Sequence, residues 1–236
     1  MAHPRYASTL VLLRPDPNGS FEILLTRRPP GMRFLGGFYV FPGGTVHKDD
    51  YSAKLLARCR GLSPIAAQKI LGCRHAPEVA IGHWIAAIRE LFEEVGVLLC
   101  EAENGGPVDL VEPATQERFE AKRRDIVREE LSFATFLEDE RLCCDLSRVI
   151  YFFHRVTPEV YPMRFDTRFY MACLPEHQKP LARSEEVTHS VWIKPGEALS
   201  RVYRQDFPLL PPTTTVLEKL AAIDAWNEVR SQYRLP

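Results

Sequence analysis

The sequence predicts an α/β protein in which helices cover a β-sheet. Short runs rich in β-branched and aromatic residues, typical of strands, stand on both sides of a helical segment at residues 82–95. That segment repeats apolar residues at the helical period and carries its charges on the other side. With 236 residues and a hydrophobic share of 45%, the chain has the size and composition of a globular domain with insertions. We therefore expect a single domain over residues 1–236.

The chain before the central helix predicts three strands and a helical segment. Residues 7–13 and 21–27 are typical of strands, and the turn between them contains two prolines, an asparagine and a glycine. A third strand is expected at residues 38–41, which are aromatic and β-branched. Residues 52–71 predict one or two short helices, because a glycine and a proline interrupt the pattern at 61–64.

Strands and helices alternate again after the central helix. We expect a short strand at residues 97–100, then a loop rich in glycine and proline at 103–113. A helical insertion is expected at about 114–140, where the apolar residues of 116–139 are spaced for burial on one helix face. The remaining segments predict strands at 149–155, 165–174 and 187–193, and a long helix at 213–232.

Three glutamates share one face of the central helix. Glu90, Glu93 and Glu94 are spaced i, i+3 and i+4, so their carboxylates project together. Gly96 follows, where a left-handed C-terminal cap is needed. The opposite face is apolar and is formed by Ile85, Ile88, Phe92 and Val95. Carboxylates held together on a docked helix suit a hard divalent cation, and a solvated acidic face is the alternative.

Residues 41–44, Phe41-Pro42-Gly43-Gly44, precede this helix and predict a tight turn that a ligand can approach closely. The turn and the helix together resemble the signature of the Nudix hydrolases, G-x5-E-x7-R-E-U-x-E-E-x-G-U, where U is aliphatic. Residues 89–97 match it at every specified position, and Gly44 fits its first glycine. The resemblance implies the Nudix fold, an α/β/α sandwich with a mixed sheet, here with helical insertions.

The first half of the signature departs from the family. Asp50 follows the glycine after five intervening residues, where the family usually has glutamate, and Asp49 could serve as well. Asp50 is also a candidate partner for Arg89. Residues 51–88 fill a spacer that is seven residues long in the family, so about 31 residues are inserted, at about 51–80. This insertion could cap the site or form a dimer contact, which leaves a homodimer open.

The resemblance also implies roles for the site residues. Glu90 and Glu94 are the expected direct ligands of Mg²⁺ or Mn²⁺, with Glu93 as the third. The backbone of Gly43 is expected to add a carbonyl ligand. Arg89 is expected to orient a glutamate through a salt bridge rather than to touch the substrate.

A second resemblance concerns the substrate. Residues 24–44 are similar to the motif of coenzyme A diphosphatases, roughly L-L-T-x-R-S-x-x-L-R-x-x-x-G-x-V-x-F-P-G-G, with Pro29 and Met32 departing from it. Residues 164–169 and the insertion resemble the peroxisomal-type branch of these enzymes. The matching positions are Leu24, Leu25, Thr26, Arg28, Arg33, Gly37, Phe41, Pro42, Gly43 and Gly44. Arg28 and Arg33 are the expected substrate-binding side chains, because guanidinium groups give forked donors to a diphosphate. Gly43 and Gly44 complete the expected substrate-binding set.

A further catalytic group is expected from a separate loop. In this superfamily a general base often comes from outside the signature, and Glu185 and Glu186 stand just before the last predicted strand. We take Glu186 as the candidate. The alternative is an exposed acidic pair without a catalytic role.

Charge, cysteine usage and segment lengths restrict partners and location. A net charge of −1 gives no reason to expect binding to nucleic acid or to an anionic membrane. No apolar run approaches the length of a membrane span. The first residues lack the charged-then-apolar layout of a signal peptide, and the last three are not a peroxisomal Ser-Lys-Leu type ending. Six cysteines without a C-x-x-C pair predict reduced thiols in a cytoplasmic protein. A zinc site at Cys73 and His75 lacks a second ligand pair at zinc-finger spacing.

Three functions are consistent with these residues. The first is metal-dependent hydrolysis of the diphosphate bond of coenzyme A or an acyl-coenzyme A, which gives 3′,5′-ADP and (acyl-)phosphopantetheine. The second is the same chemistry on ADP-ribose, NADH or a nucleotide sugar. The third is a binding or regulatory domain of the same fold without turnover, which the unusual Asp50 keeps open and the complete glutamate set disfavours.

Overall fold

The computed structural model describes residues 3–32, 35–72 and 74–235. The strands are β1 (Arg5–Pro15), β2 (Phe21–Arg27), β3 (Tyr39–Val40), β4 (Gly43–Thr45), β5 (Cys59–Arg60), β6 (Cys100–Ala102), β7 (Leu142–Asp145), β8 (Ile150–Val156), β9 (Phe165–Cys173) and β10 (His189–Ile193). The α-helices are α1 (Ala53–Leu56), α2 (Pro64–Leu71), α3 (Pro77–Val95), α4 (Pro113–Val127), α5 (Phe133–Asp139), α6 (Pro195–Tyr203), α7 (Pro211–Ala221) and α8 (Trp226–Tyr233). Short 3₁₀ turns span Lys48–Tyr51 and Leu146–Arg148.

A seven-stranded mixed sheet forms the middle of the fold. Its main path is β10-β2-β1-β9-β8, with β3 paired to β2 and β4 paired to β1. Among the strand pairs of this sheet in the described residues, β1–β9 is parallel and the others are antiparallel. A smaller three-stranded sheet has the order β5-β7-β6. The predicted α/β class with a mixed sheet is confirmed.

Helices cover both faces of the large sheet, because the side chains of β1 alternate between two cores. Leu10 and Leu12 are fully buried against α3, whereas Val11 and Leu13 are fully buried on the opposite side against α7. Each such side chain contributes roughly 1.5–3 kcal/mol of transfer free energy on burial. The expected α/β/α sandwich of the Nudix fold is confirmed, and β1 fixes where α3 lies on the sheet.

The central helix starts earlier than predicted and is buried on nearly every side. It begins at Pro77, a favourable first helical position, rather than at residue 82. The segment inserted before it packs on the core rather than standing apart: α2 contacts α3, and β5 pairs with β7. Gly82 lies against the ring of Tyr51, where an added Cβ would come within 3.0 Å of it.

The strand expected at residues 97–100 is wrong. The strand here is β6, which starts only at Cys100, because the chain turns at Gly96 and the next backbone groups bind a side chain instead of a strand. The Leu98 N–H donates to Oε1 of Gln178 at 2.8 Å, and the Leu98 carbonyl accepts from Nε2 of Gln178 at 2.9 Å.

Two long predicted helices are each divided. Residues 116–139 contain α4 and α5, which separate at Glu129 with φ of +60°, a conformation that cannot continue a helix. Residues 213–232 contain α7 and α8, and the Trp226 N–H donates to the Gly19 carbonyl at the start of α8. The sequence patterns also missed β4, β5, β7 and α6.

In the three described ranges, none of the helices is both long enough and apolar enough to cross a membrane. The five cysteines in those ranges carry free thiols, and the candidate zinc ligand Cys73 lies outside them.

Candidate active site

The last backbone carbonyl groups of α3, at the end that carries the glutamates, accept hydrogen bonds from other parts of the chain. Gly96 adopts the left-handed conformation with φ of +71°, and its N–H donates to the Phe92 carbonyl at 2.8 Å, which confirms the predicted cap. The next carbonyls accept from other segments: Glu93 from the Arg123 guanidinium, Glu94 from the Ser184 hydroxyl at 2.8 Å, and Val95 from the Leu181 N–H at 2.9 Å. These bonds satisfy groups that a helix end leaves unpaired and fix the position of the glutamates.

The three glutamates do not form a solvated face. Glu90 is 9% exposed and Glu94 is 4% exposed, and the Glu93 side chain is 18% exposed. Burial raises the pKa of Glu90 to about 7, partly offset by the charge of Arg89. Burial also raises the pKa of Glu93, and burial with repulsion from Glu90 raises that of Glu94 well above its ordinary value. The cluster therefore favours added positive charge.

Arg89 connects the glutamates to the preceding segment. Its Nε donates to Asp50 at 2.7 Å, and one terminal nitrogen donates to both Glu90 and Glu93 at 2.9 Å. The other terminal nitrogen donates to Asp50 at 3.1 Å and to the Thr45 carbonyl at 2.9 Å. Every nitrogen of this buried guanidinium has an acceptor, so Arg89 orients the carboxylates and has no free donor for a substrate.

The structure distinguishes between the two aspartates that the sequence left open. Asp50 is 1% exposed, binds Arg89 and accepts from the His47 N–H at 2.7 Å, whereas Asp49 is exposed. Asp50, although shorter than the usual glutamate, therefore lies next to Arg89 in space despite the 38 residues between them in the chain.

Gly43 and Gly44 bring backbone against the glutamates. In β4 they pair with Thr9 and Ser8 of β1. The Gly43 N–H binds the Glu94 carboxylate and lowers its pKa against the larger effect of burial. A Cβ on Gly44 would lie under 3.0 Å from both carboxylate oxygens of Glu90, so this position requires glycine.

Replacing Gly44 with alanine is expected to lower the turnover rate by about 10²-fold, because the new methyl group displaces the Glu90 carboxylate. The melting temperature should change little, since the displaced atoms end a side chain that can rotate. Gly196→Ala is the matched control, because a Cβ there has no neighbour within 4 Å. Equal activity of the two variants would show that Glu90 need not occupy its observed position.

The other predicted side chains differ in whether their charges affect the glutamate cluster. Arg28 is close enough to Glu94 to lower its pKa by its charge, and its buried Nε has no hydrogen-bond partner within the described residues. Glu186 is exposed, and its charge raises the pKa of both Glu93 and Glu94. Glu185 points elsewhere and pairs with Arg123 at 2.8 Å. Arg33 lies outside the described residues.

The carboxylate oxygens of the three glutamates are ligands that a hard divalent cation prefers, but they do not converge on one point. Among the described residues, no three imidazole, thiol or carboxylate side chains converge as a metal cage. Arg89 accounts for this, because it holds one oxygen of Glu90 and one of Glu93. The other oxygens of these groups and the Glu94 carboxylate are available, and their burial without a matching cation is costly.

Sequence reasoning missed the residues that hold the helix end. Arg123 is 1% exposed and bridges Glu120, Glu185 and the Glu93 carbonyl. Nothing distinguishes it from its charged neighbours in the sequence of α4. Ser184 gave no signal either, because its partner lies 90 residues away.

The comparisons with known proteins agree on one family. The family model described as NUDT19 Nudix domain matches residues 5–220. The chain is 31% identical over 257 residues to acyl-coenzyme A diphosphatase NUDT19 of Gallus gallus, covering 91% of this chain and 65% of that protein. It is 28% identical over 206 residues to putative nudix hydrolase 7 of Caenorhabditis elegans, covering 87% and 58%. The chain thus spans about three fifths of the length of these curated relatives.

A solved structure matches along its whole length. The crystal structure of a NUDIX hydrolase from Alicyclobacillus acidocaldarius superimposes with a TM-score of 0.80 at 28% identity. The match covers 98% of this chain and 97% of that one, so the segment inserted before α3 and the helices after it belong to a shared architecture.

Proposed function

This chain belongs to the NUDT19 Nudix domain family, and from that membership we propose that it hydrolyses the diphosphate bond of coenzyme A or an acyl-coenzyme A. The products would be 3′,5′-ADP and (acyl-)phosphopantetheine. The observation that carries the proposal is the buried carboxylate cluster of α3, which lies against the Gly43-Gly44 backbone with Arg28 beside it. Relatives named acyl-coenzyme A diphosphatase, at 28% to 31% identity, support the choice of substrate.

Nudix hydrolases generally use divalent metal ions, and we propose Mg²⁺ or Mn²⁺ here. Glu90, Glu93 and Glu94 would hold the ion, together with the Gly43 carbonyl. When bound there, such an ion would supply neutralisation of the diphosphate charge and activation of the attacking water.

The protein side chains then position the reacting groups. Arg89 restrains Glu90 and Glu93 and fixes which of their oxygens face the substrate. Within the part of the chain that the structure describes, the buried Nε donor of Arg28 has no partner and its charge acts on Glu94, which supports a role in binding the diphosphate. Arg33 is proposed for the same role. The low exposure of Glu90 and Glu94 keeps bulk water from the reacting centre and strengthens each charge interaction there.

We propose Glu186 as the general base, supported by its electrostatic effect on Glu93 and Glu94. Glu186→Gln should lower kcat by about 10²–10⁴-fold with little change in KM, because it removes a proton acceptor and not a substrate contact. Glu176→Gln is the matched control, since it removes the same charge from an exposed position. Equal losses in the two variants would contradict the assignment.

The proposal also includes the binding partner, the location, the oligomeric state and the domain organisation of the chain. The partner is a small nucleotide substrate rather than nucleic acid or a membrane, the location is cytoplasmic, and the chain can form a homodimer. Residues 1–236 form one domain with insertions at about 51–80 and 114–140, a division supported by α2 packing on α3 and by α4 contacting the same helix.

A substrate panel tests the proposed activity. The protein is incubated with Mg²⁺ or Mn²⁺ and with coenzyme A, acetyl-coenzyme A, ADP-ribose, NADH or UDP-glucose, and kcat/KM is measured for each. We expect the two coenzyme A substrates to give the highest values. A higher value for ADP-ribose, NADH or UDP-glucose would contradict the substrate assignment, and absence of turnover on all five would contradict the proposed activity.

A further inference from the structure

A row of polar residues crosses the sheet away from the carboxylate cluster. Gly44, Ser8, Arg168 and His154 are direct neighbours on four adjacent strands, β4, β1, β9 and β8. Direct neighbours project to the same face of a sheet, and strands lie about 4.8 Å apart, so Arg168 stands about 10 Å from Gly44. Because Gly44 contacts Glu90, the row connects the candidate active site to Arg168.

Helix α3 and the segment before it place two imidazoles over this row. Nδ1 of His83 lies 3.1 Å from the Ser8 hydroxyl. His75, just before α3, has its Nε2 atom 3.4 Å from a terminal nitrogen of Arg168. The rings of His75 and His83 are 6.0 Å apart, and the ring of Tyr6 is 4.5 Å from that of His75.

Two nitrogen atoms in this group are buried without a partner. Within the described part of the chain, Nε of Arg168 and Nε2 of His83 have no hydrogen-bond partner, although the residues are only 4% and 0% exposed. A buried polar atom without a partner costs about 1–3 kcal/mol, so native proteins seldom leave two together. Nε of Arg168 is always a donor, and Nε2 of His83 is a donor when Nδ1 accepts from the Ser8 hydroxyl, so the two atoms indicate a missing acceptor between the sheet and α3.

The local charge identifies that acceptor as an anion. Asp166 pairs with Arg168 and with Nε2 of His154, the latter at 2.6 Å, and leaves Nε of Arg168 free. Burial and the charge of Arg168 lower the pKa of His75, His83 and His154. The unpaired Nε–H belongs to a guanidinium, and such a donor makes its strongest hydrogen bonds with an anion. The rim of this group is open, since Tyr6 is 39% exposed and the His154 side chain is also 39% exposed.

We propose that Arg168, His75 and His83 form a subsite for a phosphate monoester, and that its occupant is the 3′-phosphate of coenzyme A. The choice of occupant rests on the proposed function. In coenzyme A a ribose ring separates the 3′-phosphate from the diphosphate, so the second phosphate must bind near the carboxylate cluster and yet apart from it. The subsite about 10 Å along the sheet from Gly44 meets that requirement. Its Nε–H and imidazole groups supply donors to the phosphate oxygens.

Binding of inorganic phosphate tests the subsite without turnover. At constant ionic strength, phosphate should shift the imidazole NMR signals of His75 and His83 in the wild-type protein and raise its melting temperature relative to chloride. Neither effect should occur in Arg168→Gln. In His75→Gln, which changes a less buried residue, the remaining His83 signal should not shift and the melting temperature should not rise. Arg204→Gln and His177→Gln are matched controls at exposed positions and should retain both effects. If phosphate leaves the wild-type signals and melting temperature unchanged, the proposal is wrong.

A kinetic comparison identifies the occupant. His75→Gln should raise KM for coenzyme A by about 10- to 100-fold and KM for 3′-dephospho-coenzyme A by less than about twofold, with kcat retained. Equal rises for both substrates would overturn the assignment of the 3′-phosphate. If neither molecule is hydrolysed, the proposed function fails while the phosphate experiment still decides whether the anion subsite exists.

Discussion

Replacing Glu94 with glutamine is expected to lower the rate of diphosphate hydrolysis by about 10²–10⁴-fold while the protein stays folded. Glu94 is 4% exposed, receives the Gly43 N–H and lies beside both Glu90 and Arg28. Glutamine keeps the size of the side chain and removes the negative charge that a cation would bind. The free energy of unfolding should stay the same or rise, because burial already raises the pKa of Glu94 well above its ordinary value.

The matched control is Glu78→Gln, which removes a carboxylate from an exposed position in the first turn of the same helix. It should retain wild-type turnover, since it lies about three turns from the cluster. Initial rates at saturating Mg²⁺ and urea unfolding of both variants give the comparison. Wild-type turnover by Glu94→Gln would contradict the assignment of the α3 cluster as the active site.

Replacing Arg89 with methionine is expected to destabilise the protein by about 3–5 kcal/mol, the cost of removing one partner from a buried ion network. Arg89 is 6% exposed and Asp50 is 1% exposed, so the aspartate would remain buried without its cation. Methionine preserves most of the apolar contact of the side chain, so the loss reports mainly on charge. The measurement is the free energy of unfolding from urea titration.

Two comparisons separate charge from packing in this experiment. Arg118→Met removes an arginine whose side chain is 51% exposed from its pair with Glu140, which keeps Lys122 as a partner, and should cost about 0–1 kcal/mol. The double variant Asp50→Asn, Arg89→Met should be more stable than Arg89→Met alone, because it leaves fewer unpaired charges. If the Arg89 variant loses no more stability than the Arg118 variant, the network does not stabilise the fold as its geometry indicates.

Local patterns predicted the parts of the site that lie close together in the chain. The spacing of Glu90, Glu93 and Glu94 depends only on helix geometry, and the glycine at 96 carries its own conformational preference. Strand β2 was predicted with its observed bounds, because its apolar residues are continuous and turn residues flank it. These features need no information from distant segments.

Features that depend on distant segments could not be predicted in this way. The backbone at Leu98 binds Gln178, 80 residues later, and this side chain replaces the strand partner that the local pattern suggested. The choice of Asp50 over Asp49 depends on how the 3₁₀ turn at Lys48–Tyr51 presents one side chain to Arg89. Arg123 reaches the Glu93 carbonyl only because α4 packs against α3.

The most direct test of the central claim is the identity of the products formed from coenzyme A with Mg²⁺ by the wild-type protein and by Glu94→Gln. Mass spectrometry should detect 3′,5′-ADP and 4′-phosphopantetheine with the wild-type protein, and neither above background with the variant. Intact coenzyme A after incubation with the wild-type protein, or the same products at the same rate with the variant, would contradict the claim that the buried glutamates of α3 hydrolyse this diphosphate bond.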